Sequence, residues 1–232
     1  MSPDAIVREA RRKGLEMIAV CDHNSARNAR PVVAAAARLV VAERRGPRLV
    51  VLPGIEITTA EEVHLLGLFP ACEAAEAVSA EVACALPPAL GGARRFGQQR
   101  LFDLEGRPLG EEELPLDAAT RLTLDAAVAL VRRHGGLPIP AHVDRPAHGL
   151  FAQLGVFPEG LEVEALEVTP RLERSPFAGA VAALGLPHLR CSDAHALEEI
   201  AACMTVFELE AAELGEVRLG LRREGGRGCW HA

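Results

Sequence analysis

The sequence predicts an α/β fold in which short apolar β-like stretches alternate with helices around a mostly parallel sheet or barrel. Three observations predict it. Strand-like and helix-like segments alternate almost throughout, which is the pattern of βα units. Apolar residues make up 49% of 232 residues, enough for a substantial core. Five apolar stretches carry acids or imidazoles near their ends: MIAVCDHN (Met17–Asn24), RLVVLPGIEIT (Arg48–Thr58), EVHLLGLF (Glu62–Phe69), LPIPAHVDRP (Leu137–Pro146) and LPHLRCSDAH (Leu186–His195). In a parallel sheet or barrel all strand C-termini open onto one face, so groups distant in sequence converge there.

The elements follow in order. Ser2, Pro3 and Asp4 suit a helix start, and Gly14 ends that helix after Lys13. Leu15–His23 reads as a buried strand and Asn28–Arg45 as a helix stopped by Gly46-Pro47. Arg48–Thr58 and Glu62–Phe69 read as neighbouring strands, followed by an Ala-rich helix over Cys72–Leu86. Pro87–Pro115 is irregular and rich in Gly, with a hairpin around FDLEGRPLG, and reads as an insertion or lid. Thr123 caps a helix running to Arg133 and closed by Gly135-Gly136. A strand over Leu137–His142, a short helix over Leu150–Leu154 and a strand over Leu161–Thr169 come next. The chain continues with a helix over Ser175–Leu184, a strand over Pro187–Asp193, a helical turn at Ala196–Ala201, a strand over Cys203–Glu210 and a helix over Ala212–Arg222. No repeat, low-complexity tract or linker interrupts the pattern, so the reading is one domain over residues 1–232.

Composition narrows the function. A net charge of −7 argues against a broad nucleic-acid-binding surface, while a local basic pocket stays compatible with it. The runs Glu111–Glu113 and Arg44–Arg45 read as solvated charge. Six cysteines occur without CxxC spacing, no leader opens the chain, and no apolar run approaches the ~20 residues that span a bilayer. Reduced thiols in the cytoplasm, with no membrane partner, are the expectation. Cys21 and Cys191 read as small buried hydrophobes beside the candidate ligands.

Neutral imidazoles and carboxylates are the donor set of zinc, manganese and iron sites. Each motif taken singly has an ordinary reading. Asp193-x-His195 can be a capped turn, and Asp22-His23-Asn24 a polar bend. His64, within VHLLGLF, can be a hydrogen-bonded core histidine. Glu56, between Ile55 and Ile57, costs several kcal/mol to bury unless it is paired or metal-bound, though alternation also allows it to face solvent. Jointly the ordinary readings require five strand ends to carry ligand-type residues by accident, which favours a metal site. The candidate ligands are His23, Glu56, His64, His142, Asp193 and His195. Asp22 and His195 are candidates for proton transfer, and Arg145 for phosphate contact. His134 reads as structural at a helix C-terminus, and His148 as a surface residue near His142.

The ordered set DHN, GIEIT, VHLLGLF, AHVDRP and SDAH resembles the PHP (polymerase and histidinol phosphatase) superfamily, and in particular its stand-alone bacterial members. The resemblance runs from Met1 to about Arg222. It implies a distorted (β/α)7 barrel, up to three divalent metal ions (Zn, Mn or Fe) at the strand ends, and hydrolysis of phosphoesters. It implies that Glu56 bridges two metals, that His64 and His142 complete one site with it, that His23 and His195 serve another, and that Asp193 shares in the cluster. The family's first motif, an H-x-H on a first strand, has no counterpart here, and the chain opens instead with a helix. The expectation is a barrel without its first strand, through a start assigned downstream, with two exposed edges that favour a homodimer.

The leading expectation is a metal-dependent phosphoesterase acting on a small phosphorylated metabolite or nucleotide. The alternative is an N-terminally truncated, catalytically impaired metal-binding or regulatory module. A third reading, amidohydrolase chemistry, calls for a lysine or an extra carboxylate bridge, and the only lysine, Lys13, lies in the first helix.

Overall fold

The computed structural model describes residues 1–42, 48–88 and 98–231. The first helix, α1 (Pro3–Arg12), has Pro3 and Asp4 in its first turn and ends before Gly14, whose φ of +79° suits a residue without Cβ. Ser2 stands at its N-cap but accepts no capping hydrogen bond through its hydroxyl. Strand β1 (Met17–Val20) then runs parallel to β2 (Val50–Thr58), joined to it through α2 (Ala29–Ala42). The expected end of that helix at Arg45, the Arg44–Arg45 pair and the Gly91, Gly92 and Gly97 of the irregular stretch lie outside the described residues.

Strand β3 (His64–Leu68) departs from the parallel expectation. It is antiparallel to β2, and β6 (Leu137–Pro140) is antiparallel to β3 in turn. The cause is connection length: only the short turn Thr59–Val63 joins β2 to β3, too short for a crossover, so the chain folds back as a hairpin. The sheet is ordered β1-β2-β3-β6, with β1, β2 and β6 pointing one way and β3 the other. Helix α3 (Cys72–Ala85) follows β3, and β4 (Arg100–Phe102) and β5 (Pro108–Glu111) form the hairpin expected around FDLEGRPLG. Helix α4 (Leu124–Arg133) leads into β6, with the Thr123 hydroxyl accepting from the Ala126 N–H at 3.3 Å.

Beyond β6 the paired strands are shorter than the apolar runs that hold them. Helix α5 (Leu150–Leu154) falls where expected, β7 (Leu166–Glu167) pairs in parallel with β8 (His188–Leu189), and α6 (Ala178–Ala183) lies between them. Strand β9 (Thr205–Glu208) pairs antiparallel with β10 (Gly228–His231), an unexpected strand after α7 (Leu214–Arg222). The architecture is mixed α/β, and among the described residues the pairing gives one four-stranded sheet and three two-stranded ones rather than a closed barrel. No helix among them is long and apolar enough to cross a membrane.

Alternation along the strands separates two cores. Ile55, Ile57 and Leu65 face one side with residues of α3 and α4, including Val78, Val82, Val128 and Val131. Leu52, Leu68, Leu137 and Ile139 face the other with Leu214, Val217 and Leu221 of α7. A third cluster packs Val7 and Ala10 of α1 on Val32, Ala35 and Leu39 of α2. Lys13 closes this layer by donating to the carbonyls of Glu198 and Ile200, both at 2.6 Å.

Phe69 is fully buried in a slot between β3 and the start of β6. A Cβ on Gly136 would stand 2.5 Å from its Cε1 and 2.8 Å from a Val131 methyl. Gly136→Ala therefore overpacks the slot. Its cost is expected at about 1–3 kcal/mol, read as a lower urea midpoint with an unchanged slope.

Candidate metal centre

The sheet gathers the candidate residues by register. Past Val20 the chain continues beside β2, and His23 bridges Glu56 in the same parallel sense. The Glu56 N–H donates to the Asp22 carbonyl at 3.0 Å, and the Asn24 N–H donates to the Glu56 carbonyl at 2.7 Å. Glu56 falls on the face opposite Ile55 and Ile57, so alternation turns it inward rather than to solvent. His64 opens β3 directly across from Thr58, on the same face as Glu56. The His64 carbonyl accepts from the Ala141 N–H at 2.9 Å, which delivers His142 one residue later. His64 thus reaches the common end of the sheet from a strand start, because β3 is antiparallel.

The Glu56 carboxylate lies among three imidazoles. Its Oε2 is 2.9 Å from His23 Nδ1, and its Oε1 is 3.0 Å from His64 Nδ1 and 3.6 Å from His142 Nε2. One ligand atom from each of His23, Glu56 and His64 lies within 4.8 Å of the others, about the span of two metal–ligand bonds. Glu56, His64 and His142 are all buried, and among the described residues neither ring nitrogen of His142 has a hydrogen-bond partner. A buried imidazole left so is costly, and a lone pair available to a cation removes that cost. The donor set therefore fits a divalent ion. Burial works to raise the Glu56 pKa, but the facing imidazoles outweigh it and hold the carboxyl well below the usual range. Burial also lowers His64 and opposes charge on His23, where the Glu56 carboxylate prevails and raises the pKa.

A cavity of about 160 Å³ opens over this group, walled by His23, Glu56, His64, Arg145, Asp193 and His195, with His148 and Asp117 at its edge. Asp193 and His195 reach the cavity wall but stand outside the tight trio. Asp193 Oδ2 pairs with the Arg145 guanidinium at 2.8 Å, and His195 Nδ1 donates to the Asp193 carbonyl at 2.8 Å, with its ring centroid 5.8 Å from that of His23. Asp22 accepts from Asn28 Nδ2 at 3.1 Å, and burial raises its pKa. His148 stacks on His64 at 4.3 Å with rings 7° apart, and its Nδ1 donates to the Glu62 carbonyl at 3.0 Å. His134 pairs with Glu81 at the helix end.

Glu167 is the buried acid that sequence reasoning passed over. It ends β7 and accepts from the His142 N–H at 3.1 Å. Together with His142 and Cys191 it walls a second cavity of about 240 Å³. The signal was available: like Glu56, Glu167 is an acid between apolar neighbours near a strand end, in ALEVT.

No family model and no curated protein matches the chain. Solved structures do. The lesion-specific endonuclease PfuEndoQ from Pyrococcus furiosus is 19% identical with a TM-score of 0.68, covering 99% of this chain and 53% of its own. A complex of endonuclease Q with a 27-mer duplex bearing an abasic lesion at the active site is 18% identical with a TM-score of 0.65, covering 97% and 52%. A structure described as a metal-dependent phosphoesterase, from Bifidobacterium adolescentis, is 19% identical with a TM-score of 0.55, covering 96% and 91%. The chain spans about half the length of the endonucleases it matches. At this identity the likeness shows a shared α/β fold and nothing finer.

One expectation is overturned. The expectation of a small phosphorylated substrate and no broad nucleic-acid-binding surface is contradicted by a fold shared with an endonuclease solved with a DNA duplex. The physical reason is that net charge sums over the whole surface, whereas recognition depends on the local field around a site.

Burial raises the Glu167 carboxyl from its ordinary 4.5 to about 7. An acid whose folded pKa is raised favours the folded state while protonated, so stability falls as pH rises from about 4.5 to 7 and stays lower above. The full difference is about 3 kcal/mol. Glu167→Gln in metal-free protein is therefore expected to raise the melting temperature at pH 8 and leave it unchanged near pH 4, read by calorimetry at both values.

Proposed function

We propose that this chain is a metal-dependent phosphoesterase, and that its substrate is the phosphoester of a nucleotide or of a nucleic-acid strand. The observation that carries the reading is the buried Glu56 carboxylate set among His23, His64 and an otherwise unpartnered His142. These four residues would hold the ion. A bound divalent ion of the zinc, manganese or iron type would supply positive charge to the phosphoryl group and acidity to water.

The chain's own residues do the rest. Arg145 faces the same cavity and offers a planar, permanently charged donor to phosphoryl oxygens. His195, its Nδ1–H tied to the Asp193 carbonyl, presents Nε2 as a proton acceptor at the cavity wall. Asp22 sits behind His23, anchored by Asn28, as a group that can take up a proton. Asn24 locks the floor: its Oδ1 accepts from the Thr58 N–H at 2.9 Å, and its Nδ2 donates to the Leu116 and Ala118 carbonyls, both at 2.9 Å. Asn28, which anchors Asp22, is also joined to the β4 backbone, donating to the Arg100 carbonyl and accepting from the Phe102 N–H. Residues 1–232 act as one domain.

The test compares hydrolysis of a chromogenic phosphomonoester, a phosphodiester and a duplex with an abasic site, before and after chelation. Activity on at least one substrate, lost with chelator and restored by manganese or zinc, is expected. Glu56→Gln is expected to lower kcat/KM by about 100-fold or more together with the metal content. Full activity in metal-free protein would refute the reading.

A further inference from the structure

Asp193 is a wall carboxylate already paired with a fixed cation. Its Oδ2 is 2.8 Å from the Arg145 guanidinium, and both side chains face the cavity that holds Glu56 and His23. The pair is set by backbone on both sides. The Arg145 N–H donates to the His142 carbonyl at 2.9 Å, and the turn closes so tightly that a Cβ on Gly149 would stand 2.1 Å from the Arg145 carbonyl oxygen. On the other side Asp193 has φ +46°, outside the usual range for a residue with a side chain. The loop after it is pinned where Glu199 Oε2 accepts from the N–H groups of His195 and Ala196, at 2.8 and 3.0 Å. A side-chain pair held this way keeps more of its interaction than a freely moving surface pair.

Among the described residues, one group alone brings three ligand atoms within metal-binding reach, and Asp193 is not in it. A second divalent ion at Asp193 would stand against the guanidinium, which cannot lose its proton. We propose that Arg145, seated on Asp193, takes the place of a second metal ion: the site binds one divalent cation, and the guanidinium supplies the other positive charge that grips an anionic phosphoryl group. This rests on the metal-dependent reading above and adds to it the number of ions and the identity of the second charge.

The experiment uses the full chain loaded with excess Mn2+, desalted, and assayed for metal by mass spectrometry and for inorganic phosphate binding by calorimetry. One equivalent of metal is expected in the wild type, in Arg145→Gln and in Asp193→Asn. Phosphate affinity is expected to fall about tenfold or more in Arg145→Gln, and by less in Arg145→Lys, which keeps charge without the planar fork. Circular dichroism and a melting curve on each variant establish that the fold is retained. A second equivalent in the wild type that Asp193→Asn abolishes would overturn the proposal while leaving the metal-dependent reading intact. Phosphate affinity unchanged in Arg145→Gln would overturn it too. No bound metal at all would overturn both.

Discussion

A charge cannot stay buried without partners, and Glu56 is such a charge at the end of the sheet. Its neighbours come from three other segments: His23 past β1, His64 at the start of β3 and His142 past β6. Each pairing that holds the sheet also sets a distance to this carboxylate. A one-residue slip of β2 would turn Glu56 into the layer of Val78 and Val131 and bring Ile55 or Ile57 toward the imidazoles. The register of the sheet and the geometry of the site are therefore one constraint.

Much of this was legible in the sequence. Element types were read from periodicity and punctuation, and the helices around Pro3, Thr123 and Leu150 lie where they were expected, although only the Thr123 cap is formed. The convergence of His23, Glu56, His64 and His142 was legible because acids and imidazoles interrupting apolar strands need a reason to be there. Strand direction was not. The route by which His64 arrives depends on a five-residue hairpin turn, and a run such as EVHLLGLF reads the same in either orientation. Strand β10 was missed because GCWH has no long apolar run of its own; it is ordered by pairing with β9. The nucleic-acid expectation failed for a related reason, since a whole-chain charge does not report the field inside one cavity.

The short segment from His142 to Gly149 joins several roles that sequence distance separates. His142 faces Glu56, Arg145 reaches Asp193, and His148 stacks on His64 while its carbonyl accepts from the His64 N–H at 3.1 Å. Asp144 ties the segment to the next strand by accepting from the Thr169 N–H and hydroxyl, at 2.8 and 2.6 Å. Fitting these contacts into eight residues forces the backbone into rare conformations, with φ of +31° at His142 and +59° at His148.

Those conformations recur around the site: Asn24 at +49° and Asp193 at +46° bring the number of non-glycine residues with positive φ here to four of the seven in the described chain. Such angles persist only where surrounding structure over-determines them. The donors are thus organised by the fold itself. On the metal-dependent reading proposed above, an incoming ion would meet a finished socket, and the shedding of its own hydration water, more than rearrangement of the polypeptide, would pace its capture.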